Sequence, residues 1–144
     1  MSVKQISVFL ENRPGCLHEM TKALADAKID LRGLSLAETS DFGIVRLIVD
    51  DILATANVLR EAGFVASLTD VLAVEVPNVP GGLNNVLEIL DSVGINIEYM
   101  YAILGNKKSD TAYMIFRVND NSKAGAALKA EGVKIMEPEE LSAL

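Results

Sequence analysis

The sequence predicts an α+β protein made of two copies of one small unit. Within each unit a strand and a helix are followed by two strands, a second helix and a last strand. Three observations predict this class. The chain resembles itself at a nearly fixed offset, and its apolar residues change period in the same order within each copy. The 144 residues also leave room for one ordinary domain or two very small ones.

The internal repeat is clearest at a Pro-Gly turn. Pro14 to Leu17 matches Pro80 to Leu83 at an offset of 66 residues, and the offset becomes 69 residues later in the unit. One loop of the second copy is therefore longer than its counterpart. The insertion falls in the polar run from Gly105 to Asp110, and insertions in such loops leave a fold intact.

The elements of the first copy follow from its periodicity. Ile6, Val8 and Leu10 alternate with the residues between them, which predicts a strand with one face on a core. A turn at residues 13–15 leads into an apolar stripe at helical spacing, which predicts an amphipathic helix. The stripe consists of Leu17, Met20, Leu24 and Ala27. Residues 31–49 then predict a β-hairpin around a polar loop.

The end of each copy carries the signals of a second helix and a closing strand. In the first copy, Asp51 is the predicted N-cap, the helix ends at Gly63, and residues 64–69 form the strand. In the second copy, Ser122 is the predicted N-cap, the helix ends at Gly132, and residues 133–136 form the strand. The hairpin strands of the second copy are predicted at residues 97–104 and 111–118. The resulting order is the βαββαβ order of ferredoxin-like folds.

Composition excludes several function classes. Thirteen basic residues against twenty acidic ones give a net charge of −7, so nucleic acids and anionic membranes are poor partners. One cysteine and one histidine cannot form a disulfide or a structural zinc site, and no metal and no cofactor is predicted. The N-terminal segment has no continuous apolar run, so a soluble, cytoplasmic protein is expected.

No catalytic constellation stands out. Cys16 and His18 lie two positions apart at the start of one helix, so their side chains point to different faces and cannot act together. The acidic residues near the C-terminus are predicted to form a solvated tail, and no glycine-rich phosphate motif is present. We therefore expect a protein that is not an enzyme.

One motif recurs in both copies between the first strand and the first helix. It reads Asn-x-Pro-Gly-x-Leu, at Asn12 to Leu17 and at Asn78 to Leu83. Glycine lets the backbone turn tightly, and the amides at a helix start can donate to a carboxylate. Asparagine adds a donor and an acceptor, which suits a zwitterion. The alternative is that Pro-Gly is only a turn and asparagine only a cap.

The run from Glu11 to Leu17, together with the run from Ala27 to Leu31, resembles the ACT domain. The resemblance is greatest to the serine-sensing ACT domain of phosphoglycerate dehydrogenase. It implies two tandem ACT domains, at residues 1–70 and 71–136, with a tail at residues 137–144. ACT domains pair side by side into an eight-stranded antiparallel sheet with helices on one face, and amino acids bind at the seam. The implied ligand site consists of Asn12, Arg13, Pro14, Gly15, Cys16, Leu17, Asp30, Leu31, Asn78, Val79, Pro80, Gly81, Gly82, Leu83, Asn96 and Ile97.

Two departures separate the chain from the serine-sensing domains. Asp30 replaces an asparagine at the head of the second strand, and a carboxylate there would attract an ammonium group and repel a carboxylate. Leu10 and Val76 stand where those domains carry a histidine. Serine specificity therefore does not follow from the resemblance.

The sequence as a whole favours a regulatory protein that binds a free amino acid. Its partners are expected to be that ligand, a second copy of the chain and a regulated enzyme of amino-acid metabolism. The homodimer is expected because residues 44–49 of the third strand are apolar on both faces apart from Arg46. The alternative is a regulatory subunit or interaction module without a working ligand site, and a small enzyme is a third reading.

Overall fold

The computed structural model describes residues 2–103 and 110–144, and they form two compact units. One unit consists of Lys4–Thr69, and the other consists mainly of Asp70–Leu144. The boundary falls inside a strand, because neither glycine nor proline interrupts the chain there.

The first unit has the predicted order of elements. They are β1 (Val3–Glu11), α1 (Cys16–Asp26), β2 (Leu31–Glu38), β3 (Phe42–Val49), α2 (Ile52–Glu61) and the beginning of β4 (Val65–Pro77). The strands lie in the order β2-β3-β1-β4, and β1 and β2 both pair antiparallel with β3. Ile6 lies opposite Leu47 in this register. Both side chains belong to a core that includes Met20 and Leu24 of α1 and Leu59 of α2.

The second unit repeats this plan with the remaining elements. They are the later part of β4, α3 (Gly82–Ser92), β5 (Ile97–Ala102), β6 (Thr111–Val118), α4 (Asn121–Ala130) and α5 (Pro138–Ser142). The strands lie in the order β4-β6-β5 and pair antiparallel. The core joins Leu72, Val74 and Phe116 of the strands to Leu90 of α3 and Leu128 of α4.

The prediction of eight strands was wrong, because the described residues form six. The closing strand of the first copy and the opening strand of the second run together as β4, which is 13 residues long. The closing strand of the second copy is reduced to one bridge, between Val74 and Ile135. The predicted loop insertion lies at residues 105–110, of which only Asp110 is among the described residues.

The C-terminal tail also differs from its prediction. Residues 138–142 form the short helix α5, and the side chains of Glu137 and Glu140 form a reciprocal capping box at its start. Leu141 is buried, as is Met136 just before the helix. Burial of Leu141 explains why this segment is ordered as a helix and does not extend into solvent.

No helix in the described part of the chain has the length and apolar character needed to cross a bilayer.

The strand β3, whose apolar faces were expected to form a dimer contact, is largely buried within the first unit. Val45, Leu47 and Val49 belong to the core, and Ile48 on the other face of β3 is also buried. The large apolar side chains that remain exposed on these strands are Phe9 on β1, Leu34 and Leu36 on β2, and Phe42 on β3.

The N-caps of α2 and α4 give a first testable prediction. Asp51 caps α2 as predicted, but Asp120 caps α4 in place of Ser122, since its Oδ1 accepts from the Lys123 amide at 3.0 Å. Replacing Asp120 with alanine is expected to lower the free energy of unfolding by about 1 kcal/mol, because the amide loses its acceptor. The matched Ser122→Ala change should have almost no effect in urea unfolding. Equal effects of the two changes would contradict this assignment.

Candidate functional site

The two Pro-Gly loops have the same backbone shape. Gly15 precedes α1 with a φ of 89°, and Gly81 precedes α3 with a φ of 83°. Both values lie in the left-handed region that glycine adopts without strain. The carbonyl oxygen of each glycine accepts the first helical hydrogen bond, from Glu19 in one copy and from Asn85 in the other. Neither helix start has a side-chain cap, but the Cys16 amide donates to the Arg13 carbonyl at 3.4 Å and the Gly82 amide to the Val79 carbonyl at 3.0 Å. The donors without a capping side chain are therefore the amides that follow these two.

The asparagine of the first motif joins its loop to the β2–β3 turn. The Asn12 amide nitrogen donates to a Glu38 carboxylate oxygen at 3.1 Å, to the Thr39 carbonyl at 3.1 Å and to the Ser40 carbonyl at 3.4 Å. Its backbone amide also donates to the Asp41 carbonyl at 2.9 Å. The donors of Asn12 are thus occupied within the protein, which is the behaviour of a loop-positioning residue.

The asparagine of the second motif makes the equivalent backbone contact. The Asn78 amide donates to the Asp110 carbonyl at 2.9 Å. Asp110 directly precedes β6, as Asp41 directly precedes β3. Both copies therefore hold their Pro-Gly loop against the following hairpin through the same backbone amide.

Arg13 places a positive charge at the first loop. Its Nε lies 3.0 Å from a Glu11 carboxylate oxygen, and its Nη1 lies 3.7 Å from Glu19. The hydrogen bond to Glu11 raises the pKa of the guanidinium above its ordinary value, as does Coulombic attraction from Cys16 and Glu19. The Arg13 side chain is half-exposed. Val79 occupies the equivalent position in the second copy and carries no charge.

In each copy, a residue outside the predicted ligand site holds the start of the second strand. The Asp30 amide donates to Asp50 Oδ1 at 3.0 Å, and the Asp50 amide donates back to the Asp30 carbonyl at 3.2 Å. Asn96 and Asn119 exchange the same two bonds, at 3.0 and 3.3 Å. The repeat could have indicated these two residues. Asp50 and Asn119 are separated by the repeat offset of 69 residues, and each directly precedes the N-cap of a helix.

Of the other residues in the predicted ligand site, some are buried and some are exposed. Cys16 and Gly82 are buried at the helix starts, whereas both prolines, both loop glycines and Val79 are exposed. The Asp30 carboxylate lies 3.4 Å from a guanidinium nitrogen of Arg32.

A cleft lies at the same position in each unit, between the end of its first strand and the turn after its second helix. The cleft of the first unit has a volume of about 260 Å³, and that of the second about 520 Å³. Repeat-equivalent residues line both, including Glu19 and Asn85 on the helices and Gly63 and Gly132 at the turns. Of the predicted site residues, Arg13 and Cys16 line the first cleft.

Both clefts carry more acidic than basic groups. The first is lined by Glu11, Glu19 and Arg13, and the second is lined by Glu75, Asp110, Glu131 and Lys134. Lys134 lies 2.6 Å from Glu140, and that hydrogen bond raises the pKa of the lysine. No group of three or more potential metal ligands occurs among residues 2–103 and 110–144.

Comparisons with known proteins agree with this architecture. The family model described as an ACT domain pair matches residues 1–144. The crystal structure of protein BT0572 from Bacteroides thetaiotaomicron is 38% identical with a TM-score of 0.93, over 100% of this chain and 98% of that one. The ligand-free regulatory subunit of aspartate kinase from Thermus thermophilus is 22% identical with a TM-score of 0.63, over 90% of each chain. The corresponding subunit from Thermus flavus is 22% identical with a TM-score of 0.59, over 88% of each chain.

The curated proteins contain no match to the chain. The similarity to the two aspartate kinase subunits is low and shows a shared fold alone. The closer resemblance to the serine-sensing domain of phosphoglycerate dehydrogenase, expected from the sequence, is not supported by these matches.

Proposed function

The chain belongs to the ACT domain pair family over residues 1–144, and from this premise we propose that it is a regulatory protein that binds a free amino acid. ACT domain pairs are typical of amino-acid-sensing regulatory proteins. The proposed role is control of a separate enzyme of amino-acid metabolism, with no catalytic step in this chain. A homodimer in the cytoplasm is part of the same proposal.

The observation that carries the proposal is the repeated loop. Gly15 and Gly81 have nearly the same φ, and each precedes a helix whose start has no side-chain cap. Such a helix start offers backbone donors and the positive end of the helix dipole to a carboxylate. Arg13 adds a guanidinium at the first loop, where Glu11 and Glu19 can accept from an ammonium group. These are the groups needed to bind both ends of an amino acid.

We expect the two copies to bind with different affinities. The first loop carries Arg13, while the second carries the apolar Val79 at the same position. The second cleft is lined by three carboxylates and one lysine, against two carboxylates and one arginine in the first, so the second should favour a ligand with excess positive charge more than the first does. The first site should therefore bind the carboxylate end of a neutral amino acid more strongly.

A second function is favoured by one observation. The amide of Asn12 is fully engaged with Glu38, Thr39 and Ser40, as expected of a loop that serves only structure. A regulatory subunit or interaction module without a working ligand site would show the same contacts. Ligand binding separates the two functions.

Thermal unfolding in the presence of each of the twenty amino acids tests the proposal. A ligand at one hundred times its dissociation constant stabilises the folded state by about 2.7 kcal/mol, which raises the melting temperature by several degrees. We expect at least one amino acid to give a saturable shift. No shift from any of them would favour the interaction module.

Two alanine variants show whether the loop is responsible. In Asn12→Ala, the loop loses its bonds to the β2–β3 turn, and affinity is expected to fall about ten- to a hundred-fold. Asn57→Ala is the matched control, since Asn57 lies on α2 and accepts only from Arg60 at 2.8 Å among the contacts described. An equal ligand response in both variants would place the site elsewhere.

A further inference from the structure

An aromatic cavity of about 300 Å³ lies on the sheet of the first unit, lined by Phe9, Ala37, Glu38, Thr39, Phe42 and Ile44. Val8 and Val45 belong to the core that α1 and α2 complete. Phe9 and Ile44 are their direct neighbours in sequence, so both lie on the opposite face of the sheet. Ile44 is opposite Phe9 in β1 and opposite Ala37 in β2. A row of apolar residues thus crosses three strands at the cavity.

The turn between β2 and β3 adds the second aromatic side chain. The Thr39 amide donates to the Phe42 carbonyl at 2.7 Å, and the Phe42 amide donates to Thr39 Oγ1 at 3.2 Å. These bonds fix the backbone position from which Phe42 lines the cavity. Phe42 is 60% exposed and Phe9 is 47% exposed. The cavity is therefore open to solvent and has two phenylalanines in its wall.

The fold does not require these aromatic residues. At the repeat offsets, Phe9 corresponds to Glu75 in the second unit, and Phe42 corresponds to Thr111. The strands that carry Glu75 and Thr111 have the same place in the order of elements. Contiguous apolar surface that remains exposed usually marks a binding site. The first unit thus has an apolar cavity that its architecture does not explain.

One carboxylate lies at the edge of the aromatic cavity. Glu38 ends β2, and it is the one charged residue among the described residues that line the cavity. Its Oε2 accepts from Asn12 Nδ2 at 3.1 Å, and the described contacts leave Oε1 available. A carboxylate and the faces of phenylalanine rings both attract cations. The cavity therefore suits a cation that has an apolar body.

We propose that the aromatic cavity binds a small organic amine with an aromatic or other apolar body and without a carboxylate. The body packs on Phe9 and Ile44, and the ammonium group contacts Phe42 and Glu38 Oε1. A volume of about 300 Å³ is at the lower end of the range for ligand sites, so the ligand has a single ring. A net charge of −7 also favours a cation over an anion. This ligand differs from the amino acid proposed for the Pro-Gly loop, whose carboxylate Glu38 would repel.

Calorimetric titration with phenethylamine tests the site at about pH 7, where an alkyl amine is protonated as lysine is. Phenethyl alcohol and hydrocinnamate are the matched probes, because they keep the ring and replace the ammonium with a neutral or a negative group. We expect a dissociation constant of about 1 mM or below for the amine. The alcohol should bind about five- to tenfold more weakly, and the acid should give no binding heat.

Two substitutions locate the bound amine. Phe42→Ala should weaken binding about tenfold or more, because it removes one aromatic side chain from the wall. Leu53→Ala is its control, since Leu53 lies on α2 outside the cavity and is 73% exposed. Glu38→Gln should weaken the amine about five- to tenfold and leave the alcohol unchanged. Glu88→Gln is its control, because Glu88 also accepts from an asparagine, Asn84, at 3.5 Å, but in the second unit.

The outcomes separate clearly once circular dichroism shows that the variants are folded. Amine-selective binding that Phe42→Ala and Glu38→Gln both weaken, and that the controls leave unchanged, supports the proposal. Equal affinity for amine and alcohol overturns it, as does the absence of amine binding up to about 10 mM. Binding that the two cavity variants do not weaken also overturns it. If Phe42→Ala fails to fold, the nearly isosteric Glu38→Gln decides alone.

Gly15→Val distinguishes this site from the one proposed at the Pro-Gly loop. Gly15 does not line the aromatic cavity, and its substitution changes the loop conformation. Amine affinity should therefore stay within about twofold of the wild-type value in this variant, whether or not the wild type binds an amino acid. Loss of amine binding in a folded Gly15→Val variant would show that the amine occupies the loop, and would overturn the proposal.

Discussion

Replacing Gly82 with alanine is expected to lower the free energy of unfolding by about 3 kcal/mol. Gly82 is the first residue of α3, and a methyl group on its Cα would overlap the carbonyl oxygen of Pro77. The carbonyl carbon of Pro77 would lie only 3.1 Å from the same methyl group. Both are backbone atoms, so no side chain can rotate away. The end of β4 or the start of α3 has to move, and the second core with it.

The equivalent position in the first copy supplies the control. Cys16 begins α1 there and already carries a buried side chain, so that copy has room at this site. Cys16→Ala removes only a thiol and should cost about 1 kcal/mol in urea unfolding. A loss from Gly82→Ala that is no larger than the loss from Cys16→Ala would contradict the packing described for Pro77.

Replacing Gly15 with valine should abolish ligand binding at the first loop and destabilise the protein by about 2 kcal/mol. Nothing lies within 4 Å of a Cβ built on Gly15, so the cost does not come from a clash. It comes from the φ of 89°, which a β-branched residue adopts only with strain. A valine that relaxes to negative φ would turn the amides at the start of α1 away from the ligand.

Gly15→Asn separates strain from side-chain bulk. Asparagine tolerates the left-handed region better than other residues with a side chain, so this variant should keep most of the stability and most of the binding. Urea unfolding and calorimetric titration measure the two effects. Unchanged affinity in a folded Gly15→Val variant would show that the loop conformation plays no part in binding.

The fold was predictable where it depends on local sequence. The apolar stripes predicted the helices, and β2 and β5 begin at Leu31 and Ile97 as the repeat indicated. The strand count was wrong because two predicted strands meet at residues 69–71 without a glycine or a proline, so the backbone continues as one strand. The helix α5 was missed although Pro138 and the pair Glu137 and Glu140 are a helix-start signal.

The site was less predictable because its contacts join residues that are distant in sequence. The motif indicated the turn at Gly15 and the exposed loop, which are local properties. The bond from Asn12 to Glu38 spans 26 residues, and the bond from Asp30 to Asp50 spans 20. Such pairs follow from strand register and not from the motif itself. The sequence thus indicated which residues form the loop but not which atoms are engaged in holding it.

Calorimetric titration of the wild-type protein with the most stabilising amino acid tests the central claim most directly. We expect saturable binding to two sites of distinct affinity, because Arg13 is present at one loop and Val79 replaces it at the other. The tighter site should be lost in Gly15→Val and kept in Gly15→Asn. The absence of any binding heat from all twenty amino acids, at concentrations up to about 10 mM, would contradict the claim that this protein binds an amino acid.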